Sequence, residues 1–185
     1  VEIGYGSSLL FQGPASSMST VISNPESFYQ LIGSSEEPAP DTDAGEKLKY
    51  VRLIARQSQQ YGQVLKTAAE KVTNQQTYPD TFLGQQLKIV SRLIGGGLKT
   101  PLYMVRLGGF DTHDAQVEAS DHTSGEHASL LKELNDAVVA FLDDLAFQGT
   151  ADKVVGMTFS EFGRRIVSNA SLGTDHGAAA PMFLF

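Results

Sequence analysis

Three stretches of the chain carry apolar residues at helical spacing, and two shorter ones are continuously apolar. From Asp43 to about Asn74, Leu48, Val51, Leu53, Ile54, Ala55, Tyr61, Val64, Leu65, Ala68 and Val72 recur three and four apart. This predicts a helix with one apolar stripe, its Lys47, Arg52, Arg56, Lys66 and Glu70 left in water. Tyr78-Pro79-Asp80 restarts the chain, and a second helix is expected from about Asp80 to Ile94, with Phe82, Leu83, Leu87, Val90, Leu93 and Ile94 inward. Gly95-Gly96-Gly97 should end it, because glycine accepts the left-handed closing conformation at little cost. The third helix, Glu126 to Gln148, sets Leu130, Leu131, Leu134, Val138, Phe141, Leu142 and Leu145 against Lys132, Glu133, Asp136 and Asp143.

The two apolar runs, Leu102–Leu107 and Val154–Phe159, read as strands on either side of this third helix. Strand, helix, strand in that order predicts a right-handed crossover with parallel strands, and hence an α/β fold with a mostly parallel sheet. The remaining organisation follows from composition. Residues 1–40 form an irregular lead-in and linker, in which Asn24-Pro25 would cap a short helix through Leu31 and 33–40 is a solvated Ser/Glu/Pro stretch. Residues 41–98 form a helical region and 99–185 an α/β core. The terminal run Pro181–Phe185 looks like the start of a buried strand, so an internal piece of a partial domain is expected.

Each predicted strand runs out into chemistry-bearing residues. Gly108-Gly109-Phe110-Asp111-Thr112-His113 follows the first. If the chain stays extended there, Asp111 and His113 leave the same face and offer one carboxylate and one imidazole to a metal ion. The bland alternative is a pair that hydrogen-bonds to itself and caps a loop. Asp175-His176 lies between Gly173 and Gly177 after the second strand. Two Asp/His pairs behind two strands of one sheet point to a site at its carboxyl edge. Glu161 is a further ligand or a general base, or else simply pairs with Arg164 or Arg165. Arg164 offers a planar fork suited to a phosphate or sulfate ester, whereas Arg165 is expected on the surface. His122 and His127 are expected as surface or capping residues, and 114–125 as a loop over the site.

Composition narrows the chemistry. With no cysteine, thiolate ligands and disulfides are excluded, so any metal is held by oxygen and nitrogen. Zn²⁺ is the expected ion, with Mn, Ca or Mg as alternatives. The net charge of −7 opposes a broad grip on nucleic acid. No apolar run reaches the roughly 20 residues that span a bilayer. No phosphate-cradling glycine loop is present, and Ser160 lacks the flanking glycines of a nucleophile elbow.

Gly-Gly-Phe-Asp-Thr-His, Thr-Phe-Ser-Glu-Phe-Gly-Arg and Gly-Thr-Asp-His-Gly, in this order and separated by a helix ending in Phe-Leu-Asp-Asp-Leu, resemble the bacterial family called domain of unknown function 1501. That family is similar to the alkaline phosphatase and sulfatase superfamily. The resemblance is specific from about Leu102 to Phe185. It implies a three-layer α/β/α sandwich with two divalent metals, one held by Asp111 and His113 and the other by Asp175 and His176. The implied activity is hydrolysis of small anionic phosphate or sulfate esters in a protein exported to the periplasm; Glu161 and Arg164 are the catalytic residues expected from the residue pattern itself. The spacing departs from the better-known enzymes, whose first pair is farther apart. Their first strand with its metal-binding Asp, and the nucleophilic Ser or Thr behind it, are not recognisable here. A final His ligand is expected beyond Phe185. The alternative is a binding module of the cell envelope that keeps the fold without turnover.

Overall fold

The computed structural model describes residues 1–4, 8–14, 18–23 and 38–185, apart from the side chains of 57–59. The short helix expected after Asn24, and most of the 33–40 linker, lie outside the described residues. The chain combines helices with short strands and divides into two compact units. One comprises Val1–Gln75 and Gln86–Arg106, the other Gln76–Gln85 and Leu107–Phe185.

The three helices form where apolar periodicity places them. The first, α1 (Asp43–Glu70), begins at Thr42, whose hydroxyl accepts from the Gly45 N–H at 3.1 Å and satisfies one of the free donors of the first turn. It stops four residues short of Asn74. Its apolar stripe is not buried throughout: Leu65, Ala68 and Ala69 are, whereas Val51, Leu53, Ile54 and Val64 are exposed. The second helix, α2 (Phe82–Gly95), is capped by Thr81, which accepts from the Gly84 N–H at 3.2 Å. Leu83, Leu87, Val90 and Leu93 are buried along it, but Phe82, expected inward, is exposed. Gly97 closes it at φ +81°, and the Leu98 N–H reaches back to the Leu93 carbonyl at 3.0 Å.

The third helix, α3 (Glu126–Phe147), buries Phe141 and Leu145 as expected, but its inward face extends to residues that the leucine spacing does not suggest. Ala137, Ala140, Phe141, Asp144 and Leu145 are buried, whereas Leu131 is exposed. Asp144 can be buried because the Tyr78 hydroxyl donates to it at 2.9 Å and the Gln76 N–H at 3.1 Å. The small alanines permit close approach, and two neutral donors offset the loss of water around the carboxylate.

The strands differ most from expectation. In the first unit, β1 (Glu2–Ile3) pairs in parallel with β2 (Val21–Ile22), and on its other side Glu2 bridges Met104 in parallel. The predicted strand Leu102–Leu107 is thus reduced to this one bridge, held by bonds from Ile3 N–H to Met104 O and from Met104 N–H to Val1 O, both 2.9 Å. Val1, Ile3 and Ile22 are buried, and so is Glu2, at 2% exposure. The Glu2 carboxylate accepts from the Ser8 N–H at 2.7 Å, from the Ser19 hydroxyl and from the Arg106 guanidinium at 3.3 Å.

In the second unit, the Val154–Phe159 run contributes a bridge at Met157, antiparallel to Leu184. The Gly156 and Thr158 N–H groups donate to Phe185 O and Phe183 O at 2.7 and 3.0 Å. The terminal apolar run is therefore paired, but Met182, Phe183 and Leu184 are exposed. A hairpin that periodicity does not show, β3 (Gly163–Ser168) with β4 (Thr174–Gly177), is antiparallel. Among the described residues the strands form two two-stranded sheets, one parallel and one antiparallel. No helix among the described residues is long and apolar enough to cross a membrane.

Candidate metal centre

The candidate site is built on the β3–β4 hairpin and on the 111–116 segment laid against it. The turn between the strands is made by Asn169, whose side-chain oxygen accepts from the Ser171 and Gly173 N–H groups at 3.0 and 3.1 Å. Such local bonding is what asparagine offers in tight turns. Leu172 sits there at φ 58°. Gly173 is required sterically, since a Cβ at that position would lie 2.3 Å from the His113 carbonyl. Backbone bonds join the two pieces: Thr174 N–H to Thr112 O at 3.3 Å, Ala115 N–H to Ser171 O at 2.9 Å and Gln116 N–H to Leu172 O at 3.0 Å. Ala115 also takes a left-handed conformation, φ 47°, so the chain reverses directly after the Asp111–Asp114 stretch.

Within this frame Arg164 pairs across the hairpin with His176, and the register shifts between Arg164 and Ser168. The side chains converge on one oxygen. Asp111 Oδ1 lies 2.6 Å from Arg164 Nη1, 2.7 Å from His176 Nε2 and 3.2 Å from His113 Nε2. His113 turns its Nδ1 towards Asp175 Oδ1, 3.6 Å away. The two imidazoles stack with centroids 4.9 Å apart, and the Phe162 ring stacks on His176 as well, at 4.8 Å and within 2° of parallel. Asn169 Nδ2 donates to the His113 carbonyl at 2.7 Å and to Asp175 Oδ1 at 3.3 Å. One ligand atom each from Asp111, His113 and His176 falls within 4.8 Å of the others.

These groups face solvent: Asp111 is 57% exposed, Asp175 50%, His113 48% and His176 52%. Arg164, at 19%, is anchored by donating from Nε to the Thr174 hydroxyl at 3.0 Å and from Nη2 to the Thr174 carbonyl. The bond from His176, followed by that from Arg164 and the nearby His113, holds the Asp111 carboxyl below its ordinary range. Asp175 is lowered first by its bond from Asn169, then by His113 and Arg165. Both are therefore carboxylates at neutral pH, ready to accept from cations.

The structure thus brings Asp111, His113, Asp175, His176 and Arg164 together. Glu161 is exposed and makes no hydrogen bond or ion pair among the described residues. Neither arginine pairs with it, because Arg164 goes to Asp111 and the exposed Arg165 comes within 3.9 Å of Asp175. His127 opens α3 with its ring edge-on to Phe110 at 5.9 Å, and His122 is exposed. Asn169, Phe162, Gln116 and the Thr112/Thr174 pair escaped sequence reasoning. For Asn169 the signal was there, in the turn chemistry of Asn-Ala-Ser-Leu-Gly; for the others no local pattern announces the contact.

The donor set suits a borderline divalent ion. A tetrahedral Zn²⁺ with ligands about 2.0–2.1 Å away spaces them about 3.3 Å apart. The Asp111–His113 separation, 3.2 Å, is near this, whereas the 2.7 Å hydrogen bond between Asp111 and His176 must open to admit an ion. Arg164 holds the same Asp111 oxygen, so an ion there shares that oxygen with the guanidinium or displaces it.

The family described as protein of unknown function (DUF1501) matches residues 32–185. No curated protein and no solved structure matches the chain.

Proposed function

We propose, from the premise that the chain belongs to the DUF1501 family, that it is part of a metal-dependent hydrolase of phosphate or sulfate esters. The observation that carries this reading is the meeting of Asp111, His113 and His176 with Arg164 at one exposed point. Asp111, His113 and His176 would hold a divalent ion, with Asp175 on the far nitrogen of His113 as a further ligand or as the group that sets its tautomer. Such an ion supplies Lewis acidity towards an ester oxygen. Arg164 is anchored on Thr174 through two donors, which leaves Nη1 aimed at the cluster as the group to orient an anionic ester. Phe162 shields one face of the His176 ring from water, and Asn169 ties Asp175 to the His113 backbone. Glu161, in solvent near the start of β3, is the proposed general base. With this reading go a three-layer α/β/α sandwich of alkaline-phosphatase type and export to the periplasm.

A second reading, a binding module of the cell envelope without turnover, draws on the hydroxyls. Thr112 is buried with its proton given to Gln116, and the Ser160 hydroxyl donates to no base among the described residues, so neither is poised as a nucleophile. Calorimetric zinc titration of the purified protein should give stoichiometric binding that His113→Ala and His176→Ala each abolish. Stoichiometric zinc retained in those variants overturns the metal-site reading. Metal-dependent turnover of an aryl phosphate or aryl sulfate selects the hydrolase over the binding module.

A further inference from the structure

Gln116 occupies a position that neither the metal ligands nor the turn accounts for. Thr112, between Asp111 and His113, has its side chain buried while its two neighbours are exposed, as an extended chain with alternating side chains requires. Thr174, directly before Asp175-His176, is buried as well. Both hydroxyls donate to the same atom, Gln116 Oε1, at 2.9 Å each. Arg164 Nε donates to the Thr174 oxygen, which leaves the threonine's own proton available for the amide oxygen. The Gln116 backbone is committed too, its N–H to Leu172 O at 3.0 Å and its carbonyl accepting from the His127 N–H at 3.1 Å at the start of α3. Direct bonding between Thr112 and Thr174 amounts to one backbone bond of 3.3 Å.

We infer that Gln116 is a positioning residue for metal capture: it clips the Asp111/His113 segment to the Asp175/His176 strand through the threonine beside each ligand pair. The inference rests on the metal-site reading. Outer partners of this kind hold ligand side chains in place before the ion arrives, and their loss typically weakens metal binding about 10–100-fold.

The test is zinc titration of the wild type, Gln116→Leu, Gln116→Glu and Thr112→Val, beside amide hydrogen exchange of the metal-free proteins. Gln116→Leu should weaken zinc binding by about 10–100-fold. It should also speed exchange at Thr174 while leaving the α3 amides unchanged, which a general loss of stability would not do. Gln116→Glu keeps an oxygen able to accept both hydroxyls and should restore affinity. Thr112→Val, nearly isosteric and missing one of the two bonds, should lose about fivefold and serves if Gln116→Leu fails to fold. Wild-type zinc affinity and unchanged Thr174 exchange in both Gln116→Leu and Thr112→Val overturn the clip alone. A wild type that binds no zinc overturns the metal-site reading, and the inference with it.

Discussion

Two carboxylates show how differently the two units use charge. Glu2, in the parallel ladder of β1, β2 and Met104, is buried and bonded to the Ser8 N–H, the Ser19 hydroxyl and Arg106. Asp111, in the second unit, is more than half exposed and lies among Arg164, His113 and His176. In the first case the charge is a structural member whose partners offset its desolvation. In the second, water can take the place of any partner, so the partners are exchangeable and an ion can enter. Burial thus distinguishes a carboxylate that holds a fold from one that can hold a ligand.

The largest effect should come from the buried member. Glu2→Ala leaves the Ser8 N–H and Arg106 without their acceptor and should cost about 3 kcal/mol in denaturant unfolding. Asp111→Asn in metal-free protein should lower stability far less than Glu2→Ala does, yet weaken zinc binding, and the reverse pattern would break the contrast.

A pH titration of metal-free stability sharpens the contrast from the other side. Asp111 and Asp175 are lowered in the folded state, so their contribution is fully present above the ordinary carboxylate value of about 3.9 and is lost as pH falls through their folded values. In the first unit, burial, with Tyr61 adding to it, pushes the Tyr103 phenol up to about 12. A raised phenol favours the fold below about pH 10 and loses that contribution as pH rises from about 10 through its folded value. The Tyr103 hydroxyl is buried with no hydrogen-bond partner among the described residues, so Tyr103→Phe should abolish this alkaline loss and raise neutral-pH stability by about 1 kcal/mol. Equal alkaline sensitivity in that variant would assign the effect elsewhere.

The smallest effect is expected at Ala115. Its left-handed φ of 47° costs a residue with a Cβ more than it costs glycine, so Ala115→Gly should stabilise by about 0.5 kcal/mol, visible as a slightly higher Tm. A loss of stability would mean that the flexibility glycine adds to the unfolded chain outweighs the relief.

Helices were the most legible part of the fold, because an i to i+4 bond and an apolar stripe are both local. Even on α3, where Phe141 and Leu145 are buried as their spacing predicts, the burial of Asp144 was not legible, because its partners Tyr78 and Gln76 lie 66 and 68 residues away in sequence. Strands were less legible, since Leu102–Leu107 and Val154–Phe159 advertise apolar character but not a partner: the first bridges the two-residue β1, and the second the terminal Pro181–Phe185 run, antiparallel. The β3–β4 hairpin escaped because its polar Gly-Arg-Arg start and exposed Ile166 and Val167 show no inward face.

At the site, the sequence alone determined which groups are available: oxygen and imidazole donors without thiolates, in two Asp/His pairs, with an arginine close to one of them. That is a matter of composition and near neighbours. Tertiary structure decided that four of those side chains meet, that Arg164 joins them while Glu161 does not, and that Gln116 and Asn169 brace the arrangement. The reason is distance along the chain: Asp111 and His176 are 65 residues apart, and their segments are joined by backbone bonds of Thr174, Ala115 and Gln116 to residues comparably remote in sequence. No periodicity in the sequence encodes that meeting.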